Sequence, residues 1–449
     1  MNRTVYTGAA FVVALAALGI GSSVVSRKFS VQAAGVVAPR FEVDPMWPKP
    51  LPNHWVMGNV IGVSVDSKDH IWIIHRQGSL EAMENYGAAN TPGPKRHAGV
   101  VESECCIPAP PVLEFDQEGN LLAHWGGSDG DGYVWPDSNH GIFVDYKGNV
   151  WIGGNGRGTA PGAARGGRGR GGAAQALADE AAATTAPAGR GRGAAPVYYH
   201  DSMVMEFTQD GKFIKQIGKS GASKGSNDTE NLGLPAKMMV DPKTNELYVS
   251  DGYGNKRVIV FDADTGKFKR YWGAYGHKPD DTNLGPYNPD APVAQQFRNP
   301  VHCAELASDG LLYVCDRVND RIQVFKPDGT FVKEQILYKN TLGDGSVWDI
   351  AFSKDKDQKY IYLADGANEK VHILDRQSLQ VLTSFGDGGR QPGLFYAVHS
   401  IATDSKGDIF TTETYRGQRV QKFMYKGVQP VLKTDQGVTW PKTAKSPLQ

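Results

Sequence analysis

The 449-residue chain predicts an all-β fold, a six-bladed β-propeller of four-stranded antiparallel blades. Two observations predict it. Residues 299 to 336 hold four short β-branched and aromatic runs, broken at Asp309-Gly310, at Asp316 and at Pro327-Asp328-Gly329. Runs of that length between Asp-Gly turns form consecutive hairpins, and four strands in about 38 residues is the size of one propeller blade. The second observation is that this phrase occurs six times along the chain. An all-β sandwich would not repeat it.

The copies follow in order. Ile61 to Gly127 holds VSVDSKDHIWII and VLEFDQEGNLLAHWGG, and His140 to Gly218 holds FVDYKGNVWIGG and VMEFTQDGKFIKQIG. Ala236 to Gly273 is the third and the 299–336 segment the fourth. Trp348 to Gly386 carries IAFSKDKDQKYIYLADGANEKVHILD, and His399 to about Val431 closes the series. Each copy can bury its two faces only against neighbours, so the six are expected to form one closed domain over 55–435.

The flanks read differently. Arg3, the apolar stretch Gly8 to Ile20 and the small-residue site Val31-Gln32-Ala33 have the layout of a secretory signal. The apolar stretch is short of the roughly 20 residues that a membrane span needs; extended through Val25 it also reads as an uncleaved anchor. Residues 1–33 are therefore expected to be a signal or N-terminal membrane anchor, 34–54 an extension outside the propeller, and 436–449 a tail. The expected location is outside the cytoplasm, periplasmic or secreted. Residues 156–196, rich in Gly, Ala and Arg, lack the large apolar residues needed to offset ordering entropy and are expected to be a disordered insertion.

Net charge is zero over the whole chain. That balance gives no general attraction to nucleic acid or anionic membrane and leaves a small molecule, a peptide or a protein as the expected partner. Of the four cysteines, Cys303 and Cys315 flank the turn near Asp309, so a cross-strand bridge is geometrically open to them. Cys105 and Cys106 are adjacent and read equally as a vicinal disulfide, a metal-ligand pair or two buried thiols.

Aligning the innermost strands on turn glycines Gly148, Gly310 and Gly407 puts His140, His302 and His399 at one equivalent position, each in the pattern His-x7-Gly. The other three blades have Ile61, Ala236 and Trp348 there. The histidines thus fall on every second blade, converging on the channel mouth. With 11 histidines in the chain, six equivalent positions should hold about 0.15 by composition. Three imidazoles from alternate blades form a facial metal site with open positions. Such a site favours zinc, with iron or copper as alternatives; capping of strand ends by hydrogen bonds is the structural alternative.

These segments resemble the peptidyl-α-hydroxyglycine α-amidating lyase propeller, a divergent member of the NHL-repeat group. The likeness runs over roughly 55 to 430. It is carried by VSVDSKDHIWIIHR (63–76), NHGIFVDYKGNVW (139–151), VDPKTNELYVSDGYGNKRVIVF (240–261) and CDRVNDRIQVF (315–325). The resemblance implies an NHL-type propeller with a catalytic zinc on His140, His302 and His399, a catalytic tyrosine at Tyr253 and an active-site arginine at Arg76. It implies cleavage of a carbinolamide to an amide and glyoxylate. A tyrosine becomes a usable base beside positive charge, and an arginine could hold the substrate carboxylate. The pattern departs from the family at Ala397, where the family has methionine, and at Ser400, where it has a calcium-binding aspartate; the likeness therefore does not extend to calcium. Two other classes stay open: a metal-dependent hydrolase such as a lactonase, and a non-catalytic NHL propeller that binds a protein or envelope polymer.

Overall fold

The computed structural model describes residues 35–88, 101–158 and 199–441. The signal or anchor segment and all but the first three residues of the Arg-rich insertion lie outside these. Among the described residues no helix is long and apolar enough to cross a membrane.

Six four-stranded antiparallel sheets form the blades. Blade one runs Asn59–Val65, Ile71–Arg76, Val112–Phe115 and Leu121–Trp125, and blade two Asn139–Val144, Val150–Gly154, Met203–Phe207 and Phe213–Gly218. Blade three comprises Lys237–Val240, Glu246–Asp251, Arg257–Asp262 and Phe268–Trp272; blade four Val301–Leu306, Leu312–Asp316, Arg321–Phe325 and Phe331–Ile336. Blade five is Asp349–Phe352, Tyr360–Asp365, Lys370–Asp375 and Val381–Phe385. Each first strand touches the first strand of the next blade, and the sixth touches the first, so the ring closes.

The local chemistry explains the regularity. Gly148, Gly310 and Gly407 turn with φ of +84°, +82° and +86°, a region that L side chains resist. Asp66 and Asp145 each accept the indole N–H of a tryptophan on the following strand, Trp72 at 3.1 Å and Trp151 at 3.0 Å. Beyond these turns the second strands are wholly buried, the outer strands are partly exposed, and the apolar clusters lie between blades. Trp72, Ile142, Ile152 and Phe207 join blades one and two, and Cys303, Ile322, Ile361 and Leu374 join four and five.

The closure corrects the expected domain plan. Blade six has Val398–Thr403, Ile409–Glu413 and Arg419–Pro430 from the C-terminal end, and its outer strand is Val37–Asp44. The segment expected to be an extension therefore belongs to the propeller. It pairs antiparallel from Val37 opposite Pro430 to Asp44 opposite Lys422. The 12-residue strand Arg419–Pro430 would otherwise leave a bare sheet edge, and pairing it ties the two ends of the ring together. Trp47 just beyond packs on Phe115 and Phe410, at 5.8 and 5.0 Å between ring centroids. The expected tail also folds back in part, since Gln436 donates to Ser384 O at 2.8 Å and Val43 to Thr439 O at 3.1 Å.

Candidate metal centre

The backbone aims the three histidines before any side-chain chemistry acts. In blade four Val301 pairs with Asp316 and Cys303 with Cys315, so His302 is one residue extra on the inner strand. Blade six repeats this at His399, between the pairs Val398–Glu413 and Ser400–Thr412; blade two carries one extra residue between the pairs Asn139–Gly154 and Ile142–Ile152, where His140 sits. A bulge breaks the alternation of faces and re-aims a side chain. Here it turns each imidazole onto the propeller axis.

The rings meet there. Their centroids are 5.1 Å (His140–His302), 4.9 Å (His140–His399) and 4.8 Å (His302–His399) apart, a nearly equilateral triangle. All three side chains are buried. The expected convergence of His140, His302 and His399 is therefore what the structure holds, and their ligand atoms lie within 4.8 Å of one another.

Their tautomers are set from the odd blades. His140 Nδ1 donates to Ala236 O at 2.7 Å, His302 Nδ1 to Trp348 O at 2.5 Å and His399 Nδ1 to Ile61 O at 2.6 Å. These acceptors are the three residues that occupy the equivalent position in the odd-numbered blades. A donating Nδ1 leaves Nε2 as a lone pair, and fixing the far nitrogen in this way is how metal-binding histidines are oriented. Burial lowers the pKa of His302 well below its ordinary value, with the neighbouring His399, Arg317 and His140 adding to the effect. Three imidazoles whose Nε2 atoms converge in a buried site fit a divalent transition metal.

Tyr253 stands on this triangle. Gly252 before it lies so near Val301 that a Cβ would meet Val301 O at 2.1 Å; only glycine brings the chain this close. The phenol oxygen is 2.8 Å from His140 Nε2 and 3.1 Å from His302 Nε2. The guanidinium that reaches it is Arg317, whose Nη1 donates at 3.2 Å. Arg317 is fully buried, lies 3.7 Å over the Trp348 ring, and is held by Asp344 through Nε to the carbonyl (2.8 Å) and Nη2 to Oδ1 (3.4 Å).

Arg76, expected beside the tyrosine, lies against the strand that carries His140. Its Nε donates to Asn139 O at 3.0 Å and its Nη2 to Asn155 Oδ1 at 2.8 Å, so it braces the residue before His140. Register relates the two arginines. Ile74 pairs with Gly62 as Cys315 pairs with Cys303, so Arg76 and Arg317, each two residues on, are equivalent positions on opposite blades. Sequence reasoning missed Arg317 because only inner strands were aligned. Aligning the ends of the second strands, His75-Arg76 with Asp316-Arg317, would have found it.

Along the axis the narrow cavity under the histidines is lined by Lys237, Asp349 and Ser400. Lys237 Nζ bonds Asp349 Oδ1 and Oδ2 at 2.8 and 2.9 Å and Glu305 Oε1 at 2.8 Å, while Ser400 Oγ donates to Asp349 Oδ2 at 2.7 Å. Burial works against the Lys237 charge, yet the two carboxylates raise its pKa overall. An ammonium thus supplies the positive charge next to the position where the resemblance would have put a calcium ligand. Both cysteine pairs are bonded, Cys105 to Cys106 and Cys303 to Cys315.

No protein-family profile matches the chain. Peptidyl-glycine alpha-amidating monooxygenase B of Xenopus laevis is 34% identical over 134 residues, 27% of this chain and 14% of that protein. The Mus musculus monooxygenase is 35% identical over 109 residues, 24% of this chain and 10% of that protein. The chain thus spans a small part of the length of these relatives. NHL repeat-containing protein 3 of Mus musculus is 24% identical over 369 residues, 80% of this chain and 75% of that protein. Among solved structures a streptogramin B lyase superposes with a TM-score of 0.45 at 12% identity, covering 88% of this chain and 99% of the other.

Proposed function

We propose that the protein is an exported metal-dependent lyase that cleaves a carbinolamide, such as a peptidyl-α-hydroxyglycine, to an amide and glyoxylate. One observation carries this reading: a buried phenol poised over two of three convergent imidazoles, with a guanidinium on its oxygen. Local similarity to amidating monooxygenases supports the choice of substrate class. The two disulfides support an oxidising compartment.

A zinc or related ion on the three imidazoles would supply Lewis-acid polarisation of a substrate hydroxyl. The chain's own groups do the rest. Arg317, which donates to the Tyr253 oxygen, would stabilise the negative charge that develops there as the tyrosine works as a base. The phenolate takes the hydroxyl proton as the C–O bond becomes a carbonyl and the C–N bond breaks. The bond pair goes to the amide nitrogen, which recovers the proton from the phenol. Arg76, bonded to the carbonyl of the residue before His140, would orient a substrate carboxylate.

Glyoxylate release from a hydroxyglycine peptide by zinc-loaded protein tests the reading. Tyr253→Phe should keep the fold and the metal while lowering turnover about 10²–10⁴-fold, the scale of a general base. No release from zinc-loaded wild type sinks the lyase. The second reading is an NHL propeller that binds a protein partner without catalysis; the longer match to an NHL repeat-containing protein supports its repeat architecture.

A further inference from the structure

Blade four differs from the other two histidine blades at one point. Directly after the bulge, Cys303 is bonded across the strands to Cys315, with Cα atoms 4.8 Å apart and both side chains fully buried. Blade six has Ser400 opposite Thr412 at this step, with a 3.2 Å bond from Ser400 N to Thr412 Oγ1 and no covalent link. The disulfide lies between two groups of the site. Cys303 follows His302, and Cys315 stands two residues before Arg317. The residue between, Asp316, is held by Arg321 at 2.7 Å, with both side chains fully buried.

We infer that the Cys303–Cys315 disulfide is a positioning clamp for the metal centre, covalently fixing His302 relative to Arg317 and, through Arg317, Tyr253. This rests on the metal-site reading above. A bulged residue has no ladder partner of its own, so its direction depends on the pairs flanking it. On one side of His302 that flank is Val301–Asp316, on the other the disulfide. His302 also contacts Tyr253, so a shift of its strand would move ligand and phenol together. The metal centre would then mature fully only in the oxidised chain.

The test compares the full chain with Cys303→Ala/Cys315→Ala, using zinc alone as probe and competition with a chromogenic chelator as readout. The clamp predicts zinc affinity about 10- to 100-fold weaker, the usual range for losing a group that orients a ligand. A disulfide that merely stabilises the fold would lower the melting temperature and leave affinity within threefold, which overturns the inference. If the double variant fails to fold, Cys105→Ser/Cys106→Ser leaves a single buried disulfide, which a water-soluble phosphine reduces through local opening while circular dichroism, followed alongside, shows that the fold persists. The phosphine becomes its oxide with oxygen from water, and the S–S bond becomes two thiols. Zinc should leave in step with thiol appearance, and retention of zinc with both thiols titrated overturns the clamp. A wild type that binds no zinc, or a His302→Ala variant that binds it equally, removes the metal-site reading instead, and the clamp with it.

Discussion

Even and odd blades use the same backbone position for two different jobs. In blades two, four and six it carries His140, His302 and His399; in blades one, three and five it carries Ile61, Ala236 and Trp348, whose carbonyls hold the even-blade rings. The following residue does not divide the ring in the same way. Blades three and five place Lys237 and Asp349 there, joined through the axis, whereas blade one has Gly62 and the even blades have Gly141, Cys303 and Ser400. The difference teaches that a repeat can build a polar centre with few special residues. Backbone geometry is shared by every blade, and only three side chains had to become histidine, because the orienting acceptors are main-chain groups present in any sequence.

The comparison breaks most visibly if an even-blade ligand goes. His302→Ala should abolish stoichiometric zinc binding, measured by metal analysis after gel filtration, because two imidazoles leave the facial set incomplete. Retained zinc would mean that the even positions are not ligands. Next in size is the odd-blade charge. Lys237→Met leaves Asp349 and Glu305 without their shared cation in a site where the lysine side chain is only 13% exposed and Asp349 1%. Breaking a buried pair from one side costs about 3–5 kcal/mol. Denaturant unfolding should show that loss, and adding Asp349→Asn should recover part of it. A loss below about 1 kcal/mol would show that the network is not what holds the odd blades to the axis.

Much of this was legible in sequence. Turn glycines fixed the frame on which His140, His302 and His399 aligned, and the blade count followed from the same turns. Three parts were not legible, each because it depends on register rather than on local pattern. Val37–Asp44 is an alternating strand with no hairpin turn of its own, and nothing local says that it pairs with Arg419–Pro430. Arg317 sits in a short 3₁₀ turn, Arg317–Asn319, whose direction decides that its side chain meets Tyr253. Lys237 looks like any charged residue at a strand start until the ring closes and Asp349 faces it from blade five.

Blade one offers a subtler contrast with blade four. His75 stands where blade four has Asp316. It is fully buried, accepts from Gly58 N at 3.2 Å through Nδ1 and donates to Pro110 O at 3.0 Å through Nε2. Burial lowers its pKa to about 4 against the weaker opposing effect of its backbone bonds. The native state thus refuses a proton that the unfolded chain accepts below about pH 6.5. Its contribution is fully present above about pH 6.5 and lost as pH falls toward 4, at most about 3 kcal/mol. His75→Gln can keep both hydrogen bonds and cannot titrate, so its stability curve between pH 6.5 and 4 should be flatter than that of wild type. Parallel curves would show that His75 is not the group responsible.

The smallest expected effect is the sharpest test of the division between blades. If odd blades serve the site through carbonyls, their side chains at that position matter to packing and not to the metal. Ile61 is 1% exposed, and its carbonyl takes the Nδ1 proton of His399 at 2.6 Å. Ile61→Val removes one methylene and leaves the backbone acceptor where it was. Stability should fall by about 0.5–1.5 kcal/mol, the usual cost of that truncation in a core. Zinc affinity should stay within about twofold of wild type, because losing a proper orienting partner costs 10-fold or more. The two readouts separate here as they do not for His302→Ala, where the ligand itself is gone. Should zinc affinity fall tenfold in Ile61→Val while unfolding is unchanged, the side chain and not the carbonyl would be setting His399, and the odd blades would be participants in the site by sequence rather than by backbone.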